Sequence, residues 1–253
     1  MIEPELRLHH IIAELEKQGR VSVQELADHF QVSRETIRRD LKQLELEGRA
    51  RCVYGGAVMP RRDGDEPIAD RMRVNAREKA RIGAAAATLV KHDVKIFVDA
   101  GTTTLALARH LVGLSSVTVY TNSLDIAELL CRAGAPQVHV VGGRLDARYR
   151  AFMGRESVDC VVGHLFDIAF VGIVAVDYRL GFMDLGEDEA VLRRALRRHS
   201  RKCVMLSDSS KFGRQGSICT YELRDVDILI TDAPLKAEFA AELDRAEVEV
   251  HYA

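Results

Sequence analysis

Four short apolar runs of the sequence end in small polar residues of the kinds that bind anions. The runs are followed by DAGTT at 99–103, TNS at 121–123, GG at 142–143 and DSSK at 208–211. Glycine lets a ligand approach the backbone, while hydroxyl groups and the free N–H groups at a helix start bind phosphate. The lysine would add a point charge for the same group. These residue types predict a site for a phosphorylated ligand.

Each of these segments alone has a simpler explanation. Serine and threonine in front of a helix are usually N-caps, and only their recurrence at one place favours a ligand site. The sequence has no G-x-G-x-x-G motif and no P-loop, so neither a dinucleotide nor an ATP site is expected. None of the five cysteines forms a C-x-x-C pair, and no His or Cys pair has the spacing of metal ligands. We therefore expect no metal and no cofactor.

The apolar runs alternate with helical patterns over most of the chain. Strands are predicted at 94–98, 117–120, 138–141, 168–172, 203–207, 227–230 and 247–251. Helices are predicted at 77–90, 104–112, 123–132, 187–199 and 235–245. Short apolar strands separated by helices indicate an α/β fold with a mostly parallel sheet covered on both faces. In such a sheet the loops that follow the strands share one edge, where ligands bind.

A second kind of chemistry is suggested by SRETIRRDL at 33–41, which carries three arginines. Two helices are predicted before it, at 5–18 and 23–30, and Ser22 would cap the second. After a short turn, Ser33 would cap a third helix. Helix, short turn and helix is the layout of a helix-turn-helix, whose second helix enters the major groove of DNA.

The apolar positions of the third helix indicate which face it shows to solvent. Ile37, Leu41 and Leu44 recur at helical spacing and would face the core. Basic side chains are left outside, at Arg34, Arg38, Arg39 and Lys42. Arginine binds guanine edges with two hydrogen bonds and also holds phosphates, so this surface suits DNA.

The residues around this helix support the same interpretation. ARCVYGGAV at 50–58 predicts a short hairpin with a Gly55-Gly56 turn, which suits a wing beside the helix. Residues 33–62 hold eight basic and four acidic residues, a net charge of +4 in a chain whose net charge is −2. The plain alternative is a three-helix interaction module whose third helix is merely charged.

The length and composition allow two domains. The chain has 253 residues, of which 47% are apolar. We expect a winged helix-turn-helix domain at 1–58, a linker at 59–75 and an α/β effector-sensing domain at 76–253, because MPRRDGDEPIAD at 59–70 has linker composition. No apolar run approaches ~20 residues and no signal peptide is evident, so we expect a cytoplasmic protein without a membrane span.

The N-terminal segment resembles a known family. VSVQELADHFQVSRETIRRDLKQLELEGRARCVYGGAV at 21–58 is similar to the winged helix-turn-helix signature of the DeoR family of bacterial transcription regulators, above all in TIRRDL at 36–41 and YGGA at 54–57. The resemblance implies DNA contacts, and the full candidate set is Ser22, Ser33, Arg34, Thr36, Arg38, Arg39, Lys42 and Tyr54. Asp40 is expected to be structural, paired with a neighbouring arginine.

The resemblance extends over nearly the whole chain. The segments at 99–103, 121–123, 142–143 and 208–213 look like the DeoR sensor domain, as do Gly154 and VGI at 171–173. That resemblance implies a fold similar to ribose-5-phosphate isomerase and CoA transferases, and sensing of phosphorylated sugars or related metabolites. LSDSSKFGR together with ITDAP is most similar to the branch that contains the glycerol-3-phosphate repressor. The bulky, basic RLDARYRAFM at 144–153 departs from that branch.

The resemblance implies a set of effector-binding residues at the matching positions. The set is Asp99, Gly101, Thr102, Thr103, Thr121, Asn122, Ser123, Gly142, Gly143, Arg148, Glu189 and Lys211. Glu189 stands where relatives place an acid near the ligand hydroxyls, although an acid in a first helical turn is also favoured by the helix dipole. Arg148 and Arg150 would be phosphate partners, although solvated loop arginines are commoner.

Two functions are compatible with these patterns. In the first, a homo-oligomer, either dimer or tetramer, represses sugar or glycerol catabolic genes by binding double-stranded operator DNA, and a phosphorylated sugar or glycerol 3-phosphate releases it. In the second, the chain is a sugar-phosphate isomerase-like enzyme with an accessory helical domain. Isomerisation needs a positioned base, and carboxylates but no histidine stand in the predicted loops. A DNA-reading module has no clear use in an isomerase, so we favour the regulator.

Overall fold

The chain is divided into two compact units. In the computed structural model, residues 4–47, 49–58, 68–132 and 137–253 are described. The units comprise Met1–Asp65 and Glu66–Ala253. The predicted linker at 59–75 spans this boundary, and its residues 59–67 lie outside the described part.

The first unit consists of three helices and a small antiparallel sheet. Its elements are α1 (Pro4–Gln18), β1 (Arg20–Ser22), α2 (Val23–Phe30), α3 (Arg34–Leu46), β2 (Arg51–Val53) and β3 (Gly56–Val58). The apolar faces of the helices meet in one core. Ile37, Leu41 and Leu44 are at most 1% exposed in this core, which confirms the inner face predicted from their spacing.

The predicted hairpin is confirmed and is extended by a third strand. β2 pairs with β3, and β1 pairs with the other side of β3, which gives the order β1-β3-β2. Gly55 has a φ of +82°, in the left-handed region that glycine adopts without strain. A Cβ on Gly56 would lie 2.0 Å from the carbonyl oxygen of Val21, so glycine is required where β3 approaches β1.

The second unit is built on one seven-stranded parallel sheet. Its helices are α4 (Ile68–Arg71), α5 (Ala76–Ala87), α6 (Thr102–Ala108), α7 (Leu124–Arg132), α8 (Arg155–Val162), α9 (Glu187–Arg198) and α10 (Ala237–Arg245). The sheet strands are β4 (Lys95–Val98), β5 (Thr118–Thr121), β6 (Gln137–Val140), β9 (Phe166–Gly172), β12 (Ser200–Leu206), β14 (Ile228–Thr231) and β15 (Glu249–Tyr252). All seven predicted strands are confirmed, and their order is β15-β14-β12-β9-β4-β5-β6 with every neighbouring pair parallel.

Separate apolar cores cover the two faces of this sheet, as the alternation of strands and helices predicts. On one face, α5 packs directly on α6. A Cβ on Gly83 of α5 would lie 2.6 Å from backbone atoms of Ala106 and Leu107 in α6. The two helices therefore touch through their backbones at this point.

Two smaller sheets were not predicted. One is the hairpin of β7 (Arg144–Asp146) and β8 (Ala151–Met153), and the other joins β10 (Ala175–Asp177), β11 (Gly181–Asp184) and β13 (Ile218–Tyr221). Both sheets contribute to the pocket described below, because Met153 of β8 and Asp184 of β11 line it.

Candidate nucleic-acid interface and ligand pocket

The N-terminus of α3 is organised by the predicted cap. Ser33 Oγ accepts a hydrogen bond from the backbone N–H of Thr36 at 3.0 Å, and the two hydroxyl groups lie 2.9 Å apart. Ser22 has the same role at α2, where it accepts from the backbone N–H of Gln24 at 3.2 Å. These three predicted DNA contacts therefore also have structural roles. Their contact with DNA stays a prediction.

The basic side chains of α3 differ in what they already bind. Arg38 meets Glu35 at 3.2 Å in an exposed pair, and such pairs contribute little to stability. Arg34 and Arg39 are exposed, and across residues 4–47, 49–58, 68–132 and 137–253 they have no ion-pair partner. Arginines with no protein partner are the ones most readily available to phosphates or base edges.

Lys42 forms an ion pair with another residue of α3. Its ammonium group lies 2.8 Å from Glu45, and this hydrogen bond raises the pKa of Lys42. Glu45 also accepts the backbone N–H of Cys52 at 2.8 Å, which fastens α3 to strand β2. Lys42 would have to leave Glu45 to reach DNA. At the tip of the β2–β3 hairpin, Tyr54 is fully exposed.

The largest departure from the sequence expectations in this unit concerns Asp40. Its partner is Arg7 of α1, 33 residues away, rather than an arginine next to it. Both side chains are buried in the core of the unit. The expectation of a structural role fits this placement, but the identity of the partner was wrong because only folding brings α1 against α3.

At the carboxyl end of β4, a buried ion network surrounds Arg193 of α9. Its Nε lies 2.7 Å from Asp99 Oδ2, and its Nη1 donates to Asp184 Oδ1. Thr220 donates to the other oxygen of Asp184 at 2.6 Å. Burial acts to lower the pKa of Arg193, but Asp184 and Asp99 outweigh it and hold that pKa well above its ordinary value. The guanidinium is therefore a permanent charge between two carboxylates.

A small pocket lies over this network. Its lining comprises Ile68, Arg71, Asp99, Ala100, Gly101, Tyr149, Met153, Val174, Asp184, Glu189 and Arg193. Burial raises the pKa of Glu189, and the nearby Asp184 and Asp99 act in the same direction against the attraction of Arg193. Burial likewise raises the pKa of Asp99. The lining holds three carboxyl groups, Asp99, Asp184 and Glu189, and two arginines, Arg71 and Arg193.

The structure brings three of the predicted effector residues together in this lining, namely Asp99, Gly101 and Glu189. Sequence reasoning missed Asp184 and Arg193. One signal was present, because Arg193 lies on the apolar stripe of α9 between Ala190 and Leu196, which are both buried. A charged residue on an apolar stripe needs a buried partner.

The loop after β5 is held by internal hydrogen bonds. Thr121 Oγ1 donates to the carbonyl of Val98 at 2.7 Å, and Ser123 Oγ accepts the backbone N–H of Ile126 at 3.2 Å in the first turn of α7. Asn122 Oδ1 accepts the backbone N–H of Ala100 at 2.8 Å and so fixes the loop after β4. These residues shape the ligand edge, and a direct effector contact by any of them stays a prediction.

The remaining predicted residues lie in neighbouring loops and outside the pocket lining that the described residues form. Gly142 and Gly143 are exposed, and a Cβ on Gly143 would lie 2.6 Å from the carbonyl oxygen of Met153. Arg148 is exposed, with its guanidinium 5.7 Å from the ring centre of Tyr149.

Thr102 and Thr103 are buried in the first turn of α6. Lys211 is half-buried at the end of the 3₁₀ turn Ser209–Lys211, which follows β12. Burial acts to raise the pKa of Asp208 beside it, but hydrogen bonds from Ser210 and Asn75 and the charge of Lys211 lower that pKa overall.

Among the helices that the structure describes, none is long and apolar enough to cross a membrane.

Two family descriptions match the chain. Residues 7–63 match the DeoR-like helix-turn-helix domain, and residues 74–233 match the DeoR C terminal sensor domain. Together they include the α3 surface and the lining of the pocket over Arg193 except Ile68 and Arg71.

Several curated relatives are similar over nearly their full length. The putative aga operon transcriptional repressor of Escherichia coli O157:H7 is 32% identical over 96% of this chain and 92% of the relative. The glycerol-3-phosphate regulon repressor of Escherichia coli (strain K12) is 33% identical over 89% and 90%. The HTH-type transcriptional repressor GlcR of Bacillus subtilis (strain 168) is 30% identical over 97% and 95%.

A solved structure of ribose 5-phosphate isomerase A from Methanocaldococcus jannaschii is similar to part of this chain. The TM-score is 0.41, with 20% identity and coverage of 55% of each chain. A similarity of this size says nothing about activity.

Proposed function

The chain belongs to the DeoR family of transcriptional regulators, and we propose that it represses genes of sugar or glycerol catabolism until a phosphorylated metabolite releases it from its operator. It is a DNA-binding regulator and not an enzyme, because both family descriptions and the full-length relatives are regulators.

The exposed arginines of α3 carry the DNA part of the proposal. Arg34 and Arg39 face solvent on a capped helix whose other face is locked in the core. The N-terminal half of such a helix enters the major groove, where arginine pairs with guanine edges. Tyr54, fully exposed at the wing tip, adds a contact to the backbone or the minor groove. Operator binding is then set by α3 and supported by the wing.

The charges at the sheet edge suggest how an effector is oriented. Three carboxyl groups, Asp99, Asp184 and Glu189, outnumber the two arginines of the lining, Arg71 and Arg193, so the pocket favours a phosphate dianion less than a site beside Lys211 does. Hydroxyl groups would instead donate to the carboxylates. Lys211 follows β12, which is separated from β4 by β9 alone, so the two strand ends are about 10 Å apart. We place the phosphate at Lys211 and the hydroxyl groups over Asp99 and Glu189.

Regulation requires that effector binding change the affinity for DNA. Coupling of this kind typically amounts to ~1–3 kcal/mol, or roughly 5–150-fold in affinity. We further propose a homo-oligomer, dimer or tetramer, in the cytoplasm, since a symmetric protein reads two operator half-sites about 34–36 Å apart. Gel filtration with light scattering would measure the oligomeric state.

The first experiment is fluorescence anisotropy of the full-length protein on the DNA upstream of its own gene, at fixed salt. Glycerol 3-phosphate and a panel of sugar phosphates would be added to the complex, with glycerol and the unphosphorylated sugars as matched controls. Release by a phosphorylated compound alone supports the proposal and identifies the effector. Tight binding that no compound disturbs would overturn the effector part, and failure to bind the DNA specifically would overturn the operator part.

A further inference from the structure

Arg7 and Asp40 form a two-point ion pair inside the DNA-binding unit. Arg7 Nε lies 2.5 Å from Asp40 Oδ2, and Arg7 Nη2 lies 3.1 Å from Asp40 Oδ1. Both residues are buried, with exposures of 6% and 7%. The pair joins α1 to the middle of α3, directly after the candidate base-reading residues Arg38 and Arg39.

Stability alone does not explain a charged pair at this position. Arg7 continues the inner stripe of α1 one turn before Ile11, and Asp40 lies between Ile37 and Leu44 on the inner stripe of α3. Apolar side chains would fill the same space without removing two charges from water. Replacing a buried ion pair by apolar residues of similar size is often neutral or stabilising.

Such a pair fixes the relative orientation of the two helices that carry it. The planar guanidinium fits a carboxylate with two parallel hydrogen bonds in one relative orientation, whereas apolar ridges tolerate small rotations. At the other end of α3, Glu45 accepts the backbone N–H of Cys52 at 2.8 Å. The helix is thus tied at two points by directional contacts, one to α1 and one to β2.

We propose that Arg7 is a positioning residue for DNA reading, which acts through Asp40 to fix the rotation of α3 and does not itself touch DNA. Arg39 and Asp40 are neighbours, so any rotation about the axis of α3 moves the exposed arginines with the buried carboxylate. Binding geometry of this kind must hold to roughly 0.5 Å and 10–20°. Hydrogen bonds to base edges depend on that geometry, whereas flexible contacts to phosphates depend on it less.

The test compares two single substitutions that break the same pair with opposite changes of charge. Arg7→Met and Asp40→Asn would be made in the full-length protein and titrated against operator and scrambled duplexes over a series of salt concentrations. We expect both variants to lose affinity for the operator by roughly 10-fold, the lower end of what one bidentate base contact contributes. Affinity for the scrambled duplex and the salt dependence should stay as in the parent.

The opposite charge changes make the result decisive. If Arg7 touched a phosphate, Arg7→Met would weaken binding to both duplexes and reduce the slope of log K against log salt by about 0.9. In that case Asp40→Asn would not weaken binding, since it removes a negative charge. Either of these results would overturn the proposal, as would unchanged discrimination between the duplexes in both variants.

A double variant separates positioning from folding. Arg7→Met with Asp40→Leu replaces the pair by apolar side chains and leaves neither charge unpaired. We expect it to melt as cooperatively as the parent and still to discriminate poorly between operator and scrambled DNA. If the double variant failed to fold, or recovered full discrimination once folded, the pair would be a stabilising contact only and the proposal would be wrong.

Discussion

The DNA-binding helix and the ligand edge of the sheet place arginine in opposite surroundings. On α3, Arg34 and Arg39 face solvent, and in the part of the chain that the structure describes they have no ion-pair partner. At the sheet edge, Arg193 is buried between Asp99 and Asp184. The first arrangement leaves charge available for a polyanion, while the second uses charge to hold carboxylates in place. The sequence alone distinguishes these two uses poorly, because all three arginines stand in helical patterns rich in arginine.

The largest effect is expected when the buried arginine, Arg193, is replaced. Arg193→Met should lower the free energy of unfolding of the second unit by about 3–5 kcal/mol, because Asp99 and Asp184 would remain buried without their cation. Urea denaturation followed by circular dichroism measures this. Arg194→Met, one residue along the same helix and partly exposed, is the matched control and should cost under about 1 kcal/mol. Equal losses in the two variants would contradict the buried network.

The proposed phosphate site can be tested by replacing Lys211. Lys211→Ala should leave operator affinity unchanged and weaken the response to the effector by about 1.5–3 kcal/mol, the usual contribution of a charged hydrogen bond. The measurement is release of the protein from operator DNA as a function of effector concentration. Lys202→Ala, at an exposed position of β12, removes the same charge elsewhere and should change nothing. An unaltered response in Lys211→Ala would remove Lys211 from the phosphate site.

The proposed base contacts can be tested by replacing Arg38 and Arg39. Each substitution by alanine should weaken operator binding by about 1–3 kcal/mol if the side chain reads a base, and the effector affinity should be unaffected. A set of operators with single base changes would show relaxed preference at one position for each variant. Lys17→Ala, at an exposed position of α1, is the control. A uniform loss over all operators would assign the arginine to a phosphate instead.

The smallest expected effect is a pH dependence at Glu189. Burial raises the pKa of this carboxyl above its ordinary value of 4.5, so the folded protein keeps the proton to higher pH than the unfolded chain. Its contribution to stability is therefore complete below pH 4.5 and is lost as the pH rises through the folded pKa. Asp99 contributes in the same direction.

Glu189→Gln should therefore flatten part of this decline in a series of thermal melts from pH 4.5 upward. The exposed neighbour Glu187→Gln lies in the same helical turn and should reproduce the parent profile. A Glu189→Gln profile that runs parallel to the parent over this pH range would show that the pKa of Glu189 is not raised.

Much of the architecture follows from periodicity. The seven sheet strands and the predicted helices are present, with ends within about four residues of the predicted ones, because each carries an apolar pattern. The short helices α4 and α8 were not predicted. The helix caps at Ser22 and Ser33 were also readable, since a cap and its helix are adjacent in sequence. Local rules thus predicted the elements and their order.

The long-range ion pairs at the two sites could not be predicted from periodicity. Arg193 meets Asp99 across 94 residues of sequence, and Arg7 meets Asp40 across 33. No periodic pattern specifies which of several acids will pair with a buried arginine. The strands that bring Asp184 and Met153 to the pocket were not predicted either. The assignment of individual DNA-contacting and effector-binding residues stays a prediction for the same reason.

The backbone contact between α5 and α6 has a mechanical consequence. Gly83 allows no side chain between the two helices, so no compressible layer separates them where they touch. α6 begins at the ligand edge of the sheet, and α5 is the first long helix after the segment that leads from the DNA-binding unit. If an effector displaced α6, α5 would have to move with it, because no side chain at Gly83 could absorb the shift, and a Gly83→Ala change would force the two helices apart.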